Sequence, residues 1–175
     1  MRKAKTYWLK KIRIRHVNLQ EIRGIHLEST AQLIMNQLLM QSGSTVSLDV
    51  RSRFPGGRNV GGKYSMADHR VTMYLDEIKK QCLSLFGSLE VFPQVLRIVF
   101  AHELGHAEDA SLKELSDLLD ACDSELERKR IALRIEENAW EYAKTLIPEE
   151  DQSLMQTVVY YSLKSYRDAI AGEIA

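Results

Sequence analysis

Pro93-Gln94-Val95-Leu96-Arg97-Ile98-Val99-Phe100-Ala101-His102-Glu103-Leu104-Gly105-His106 is the stretch on which the fold turns. Proline suits the first turn of a helix. Val95, Leu96, Ile98, Val99, Phe100 and Leu104 make that helix apolar almost all round, as a central helix is. Positions i and i+4 lie one turn apart on the same helical face, so His102 and His106 can bind one metal ion. Imidazole nitrogen suits zinc, whose catalytic sites use three protein ligands and leave one position for water. Glu103, offset around the helix, can serve as general base toward that water. Five His and fifteen Glu in 175 residues produce such a match by chance in about 1% of chains. Gly105 costs helix stability. Close approach of the preceding strand or of substrate backbone would account for it.

Upstream of this helix the pattern is mixed. Residues 7–15 read as a short edge strand, with Ile12 and Ile14 on one side and basic residues on the other. From Glu28 the period becomes helical, with Leu33, Ile34, Leu38 and Leu39 as its stripe and Ser42-Gly43 as its end. Val46, Leu48 and Val50 alternate with polar residues as a half-buried strand does. Residues 54–63 hold four of the nine glycines and read as a loop, since they match neither nucleotide-binding fingerprint. A hairpin follows: a strand over 64–67, a turn at Asp68-His69, and a strand over 70–75 in which Val71, Met73 and Leu75 alternate. Ile78, Cys82, Leu85 and Phe86 then form a helical stripe ending near Gly87.

Downstream everything reads as helix. Ser111 with Glu114 and Ser124 with Glu127 match capping boxes for helices near 112–122 and 125–147. Pro148 stops the second, and a last helix over about 150–170 would bury Leu154, Val158, Tyr161 and Ala169. The predicted class is α+β: a small twisted sheet of three to four strands against the central helix, with further helices after it. One domain spans 1–175, made of a basic arm or edge strand (1–24), a catalytic core (64–148) and a C-terminal helix (149–175).

The third metal ligand must come from elsewhere. His69 on the hairpin turn is one candidate, though a turn position favours exposure. Within the helix over 125–147, Glu136 has Ala132 one turn before, Ala139 and Trp140 one turn after, and Ala143 two turns on. Such small neighbours let two helices approach closely. Glu137 instead neighbours Arg134 and Glu141, a solvated arrangement. Glu136 is therefore preferred over Glu137. The donor for a developing oxyanion stays open among Tyr64, Tyr74, Tyr160 and Tyr161.

The sequence His102-Glu103-Leu104-Gly105-His106, with Glu136 thirty positions later in Glu-x-x-Ala-x-x-Tyr-Ala-x-x-Leu-Ile-Pro, resembles the gluzincins, and among them the ImmA/IrrE-type metallopeptidases of bacteria and their mobile elements. The similarity spans roughly 64–148. It implies a zincin-like fold, His102, His106 and Glu136 as zinc ligands, Glu103 as catalytic base, and cleavage of a regulatory protein such as a phage or conjugative-element repressor. The hairpin would be the active-site edge to which an extended substrate adds. Trp140 stands where that family usually has Asn, and no helix-turn-helix module is visible.

Composition bounds the alternatives. Basic and acidic side chains balance at 24 each, and 45% of residues are hydrophobic, which excludes disorder for most of the chain. Apolar runs are too short for a membrane span, and residues 1–16 lack the apolar core of a signal peptide. Cys82 and Cys122 have no paired spacing. These features lead us to expect a soluble cytosolic protein with reduced thiols. Residues 1–24 carry net charge +7 and residues 103–151 carry −9. The basic arm suggests contact with the acidic half, or a nucleic-acid partner. Two other functions follow from the same residues: a non-proteolytic regulatory or nucleic-acid-associated protein that keeps a zinc-site fold, and a SprT-like DNA-associated protease, which relies on a third histidine.

Overall fold

The computed structural model describes residues 19–56 and 58–174. They run α1 (Leu19–Ser42), β1 (Ser47–Arg51), β2 (Gly62–Ser65), β3 (Arg70–Tyr74), α2 (Leu75–Phe86), α3 (Phe92–Glu108), α4 (Leu112–Ala121), α5 (Glu125–Leu146), a 3₁₀ turn (Glu149–Asp151) and α6 (Gln152–Ile174). This is the expected α+β class, mostly helical, with one three-stranded sheet among the described residues. The strand predicted over 7–15 lies outside them, as does most of the basic segment; its positions 19–24 open α1.

The sheet order is β1-β3-β2. β3 pairs parallel with β1, Leu48 opposite Val71, and antiparallel with β2, Gly62 opposite Met73. So β3 is central and β2 alone offers a hairpin edge, whereas the sequence suggested the whole of 64–75. The turn takes four residues, 66–69, rather than two, and His69 adopts a left-handed φ of 44°. β3 stops at Tyr74, and Leu75 belongs to α2 instead of the strand. Asp76 and Glu77 in the first turn favour that helix start, while Leu75 keeps its place in the core.

Three sequence expectations about exposure need correction. Leu33 and Val50 are exposed. The buried face of α1 is Ala31, Ile34, Met35 and Leu38, an i, i+3, i+4, i+7 set that leaves Leu33 pointing away. On α6 the buried residues are Met155, Val158 and Leu163, while Tyr161 and Ala169 are exposed. Ser111 does not cap α4: its backbone is already in the helical region (φ −90°, ψ −8°) and its side chain accepts from no N–H of that helix. Its own N–H and hydroxyl donate to Asp109 Oδ1 at 2.8 and 2.6 Å, an Asx-type turn. Ser124 does cap α5, accepting from the Glu127 N–H.

α3 is the hub. Eleven of its seventeen residues are buried, and it touches α1, α2, α5, α6 and both hairpin strands. Its Arg97 donates to Asp151 at 2.8 Å, with the Asp151 side chain only 9% exposed, tying α3 to the turn before α6. Removing one partner of a buried pair strands the other charge. We expect Asp151→Ala to lower unfolding free energy by about 1–3 kcal/mol in urea melts, Arg97 being partly solvated. A change under about 0.5 kcal/mol would mean the pair is a surface one in effect. No helix among the described residues is long and apolar enough to cross a membrane.

Candidate metal centre

The C-terminal half of α3 carries His102, Glu103 and His106 into a cleft of ≈ 810 Å³ walled by β2, α2, α4, α5 and α6. His102 and Glu103 are buried, at 8% and 6% exposure. Across the cleft, α5 presents Glu136. One ligand atom from each of His102, His106 and Glu136 lies within 4.8 Å of the others. The two Nε2 atoms are 3.1 Å apart, His102 Nε2 is 3.2 Å from Glu136 Oε2, and His106 Nε2 is 3.8 Å from Glu136 Oε1. A tetrahedral ion with bonds near 2.0–2.1 Å sets its ligand atoms roughly 3.3 Å apart. The spacing and the donor set of two imidazoles and a carboxylate therefore fit a metal ion.

Close helix packing makes this convergence possible, and Gly105 permits it. A Cβ at position 105 would sit 2.2 Å from the Ala139 carbonyl oxygen and 2.8 Å from the Ala139 Cα. The partner crowding Gly105 is thus α5, neither the strand nor a substrate as the sequence suggested. Ala139 and Ala143 of α5 are both fully buried, in keeping with the small neighbours of Glu136. Just past the end of α3, Asp109 accepts from Asn138 Nδ2 of α5 at 3.0 Å and ties the end of one helix to the other. Gly62 plays the matching part on β2: a Cβ there would lie 2.5 Å from Glu103 Cγ. The Tyr64 backbone N–H donates to the Glu103 carboxylate.

Electrostatics divide the labour. Burial pushes the His106 pKa down to about 4, the His102 charge adds to this, and Glu136 and Asp109 oppose it. Its lone pair is therefore free at neutral pH. Burial pushes Glu103 up to about 7; His102 opposes, Glu136 adds, and the Tyr64 N–H opposes. Burial also works against the Glu136 anion, yet the hydrogen bond and charge of His102, with smaller help from His106 and Tyr166, hold it below the usual carboxylate range.

These two histidine and glutamate shifts give opposite pH slopes in the metal-free protein. Below about pH 6.5 the unfolded chain takes up a proton that folded His106 refuses until about pH 4, so stability is lost as pH falls. Folded Glu103 binds its proton below about pH 7, whereas the unfolded carboxyl waits until about 4.5, so stability is gained as pH falls. Glu103→Gln removes the second slope and leaves the first. Metal-free Glu103→Gln should therefore lose roughly 3 kcal/mol relative to the parent between pH 7.5 and pH 4.5, measured by urea denaturation at each pH. Parallel curves for the two proteins would overturn the assignment.

Other sequence candidates fall away from the centre. Glu137 lies off the cleft, 3.5 Å from Arg167. His69 is exposed, its Nδ1 3.0 Å from the Tyr64 hydroxyl and its Nε2 3.3 Å from Thr45 Oγ1. Tyr74 is buried, edge-on against Phe54; Tyr160 is exposed away from the site. Tyr64 and Tyr161 do line the cleft. Tyr166 was missed. Its hydroxyl donates to Glu136 Oε1 at 3.3 Å, and burial, with the Glu136 charge adding, raises its pKa to about 12. The available signal was the four-residue spacing of Val158, Ser162 and Tyr166, which sets all three on one face of α6. Both cysteines are free thiols.

No family model matches this sequence, and no curated protein or solved structure matches it either. What the chain does is read from the site's own chemistry.

Proposed function

We propose that this chain is a zinc-dependent metallopeptidase with a zincin-like fold, of the gluzincin type and similar to ImmA/IrrE-type enzymes. One observation carries the reading: two imidazoles and a distant carboxylate meet beside a buried glutamate, in a cleft bordered by a hairpin edge. His102, His106 and Glu136 hold the ion. Zinc, when bound, polarises a carbonyl and lowers the pKa of water toward neutrality.

Glu103 is the base. Burial holds its carboxyl above the usual carboxylate range in the metal-free protein, and its place beside the ligand cluster suits it to take a proton from water and return it to the departing amine. Gly62 lets β2 lie against this carboxylate, and the Tyr64 N–H fixes its direction. An extended peptide adds to β2, whose outer edge is unpaired among the described residues. That narrows the substrate platform to 62–65. Tyr64 and Tyr161 line the same cleft and can donate to the developing oxyanion. Tyr166 acts differently: it steadies the carboxylate ligand Glu136. The resemblance further implies a regulatory protein as substrate, and the short apolar runs and unpaired cysteines of the sequence suit a cytoplasmic setting.

The test combines metal analysis with peptide cleavage. Protein purified without added chelator should carry about one zinc per chain and cleave members of a degenerate peptide library, read by mass spectrometry. A chelator should stop cleavage and zinc restore it. Glu136→Ala should lower zinc affinity by at least 100-fold, as loss of a ligand does more than the 10–100-fold of an outer partner. Zinc-loaded protein that cleaves no peptide in the library would favour the binding-protein reading.

A further inference from the structure

A metal-ligating histidine ordinarily donates its second ring N–H to a carboxylate, carbonyl or water, which fixes tautomer and tilt. His106 is more open; His102 is the buried one, and its Nδ1 has no hydrogen-bond partner among the described residues. Something else must hold the ring. The indole of Trp140 lies flat on the His102 imidazole, with centroids 4.0 Å apart and planes 23° from parallel. Trp140 is 97% buried (3% exposed), and its Nε1–H donates to Ser162 Oγ on α6 at 3.2 Å. It stands one turn after Glu136 and next to Ala139, the residue that Gly105 allows into contact.

We propose that Trp140, anchored by Ser162, is the positioning residue for His102, replacing by ring stacking the hydrogen bond that Nδ1 lacks. Two flat rings at van der Waals distance resist tilting, because any rotation of the imidazole loses contact along the whole face. The clamp holds Nε2 toward His106 and Glu136 at the spacing described above. It also joins three helices at the metal centre: α3 through His102, α5 through Trp140 and α6 through Ser162. The inference rests on reading His102, His106 and Glu136 as metal ligands and is independent of hydrolysis.

The test uses the full chain and Zn²⁺ alone, with affinity measured by competition against a chromogenic chelator. Trp140→Phe keeps an aromatic face and should bind within about 3-fold of the parent. Trp140→Leu keeps apolar bulk but no face; it should weaken binding about 10–100-fold and alter the visible absorption of the Co²⁺-substituted protein. Parent-like affinity in Trp140→Leu, or equal losses in both variants, overturns the proposal. Should Trp140→Leu fail to fold, a second measurement decides. In a Trp8→Phe background Trp140 is the only indole, and its emission should change in step with zinc occupancy as the ion polarises the imidazole stacked on it. Emission that stays flat through saturation overturns the clamp. A parent protein that binds no Zn²⁺ overturns the metal reading itself, which separates the two failures.

Discussion

Glu103→Gln should abolish peptide hydrolysis while leaving zinc bound at parental affinity. The amide is the same size as the carboxylate and can still accept the Tyr64 N–H, so the cleft keeps its shape. What it cannot do is take a proton. General-base catalysis contributes about 10²–10⁴-fold, and the turnover number should fall by at least that much with little change in KM. The local structure makes this a clean experiment. Glu103 is absent from the ligand cluster, so its loss removes no donor from the ion. Burial of its charge is costly in the parent, so at pH 8 the variant should be at least as stable. A variant that cleaves at the parental rate would sink the mechanism. One that loses zinc would show that Glu103 is a ligand rather than a base.

The second large effect is expected from a methyl group. In Gly105→Ala the new Cβ meets backbone, the Ala139 carbonyl at 2.2 Å, so no rotamer change relieves the clash and α3 and α5 must separate by about 1 Å or more. Glu136 and Trp140 ride on the displaced segment of α5. A misplacement of this size costs on the order of 100-fold where geometry is critical, and zinc affinity should fall by about that factor. Stability should fall as well: overpacking costs about 1–3 kcal/mol, and the helix-propensity gain of roughly 0.5–1 kcal/mol offsets only part of it. Gly172→Ala is the control. It lies in α6 with nothing within 4 Å of its would-be Cβ, so it should leave metal binding untouched and be neutral or slightly stabilising. Equal behaviour of the two alanine variants would mean that the helix crossing does not set the metal geometry.

Much of this was legible before the fold was known. The α3 helix announced itself through Pro93 and an apolar surface on every side, and the His102/His106 pair follows from helical period alone. Glu136 was readable because small residues recur around it, a local signature of close helix packing. Other features were hidden for identifiable reasons. The parallel pairing of β1 with β3 leaves no mark on either strand, since alternation reports which face is buried but not which neighbour is bonded. The Ser111 capping box failed because Asp109 draws in both the N–H and the hydroxyl of Ser111, whose backbone is turned into the helical region instead of the extended one a cap needs, a contact that spacing rules do not include. Tyr166 was passed over because its importance lies in a hydrogen bond to another helix, not in its own neighbours.

The sequence by itself determined the α+β class, the central helix, and which side chains could carry metal chemistry, because residue type and local period are properties of single segments. Only the tertiary structure decided that Gly105 faces Ala139, that β2 rather than the whole hairpin is the open edge, and that Trp140 lies on His102. Each of these is a contact between segments 25 or more residues apart or a choice of pairing partner, and short-range pattern carries no information about either.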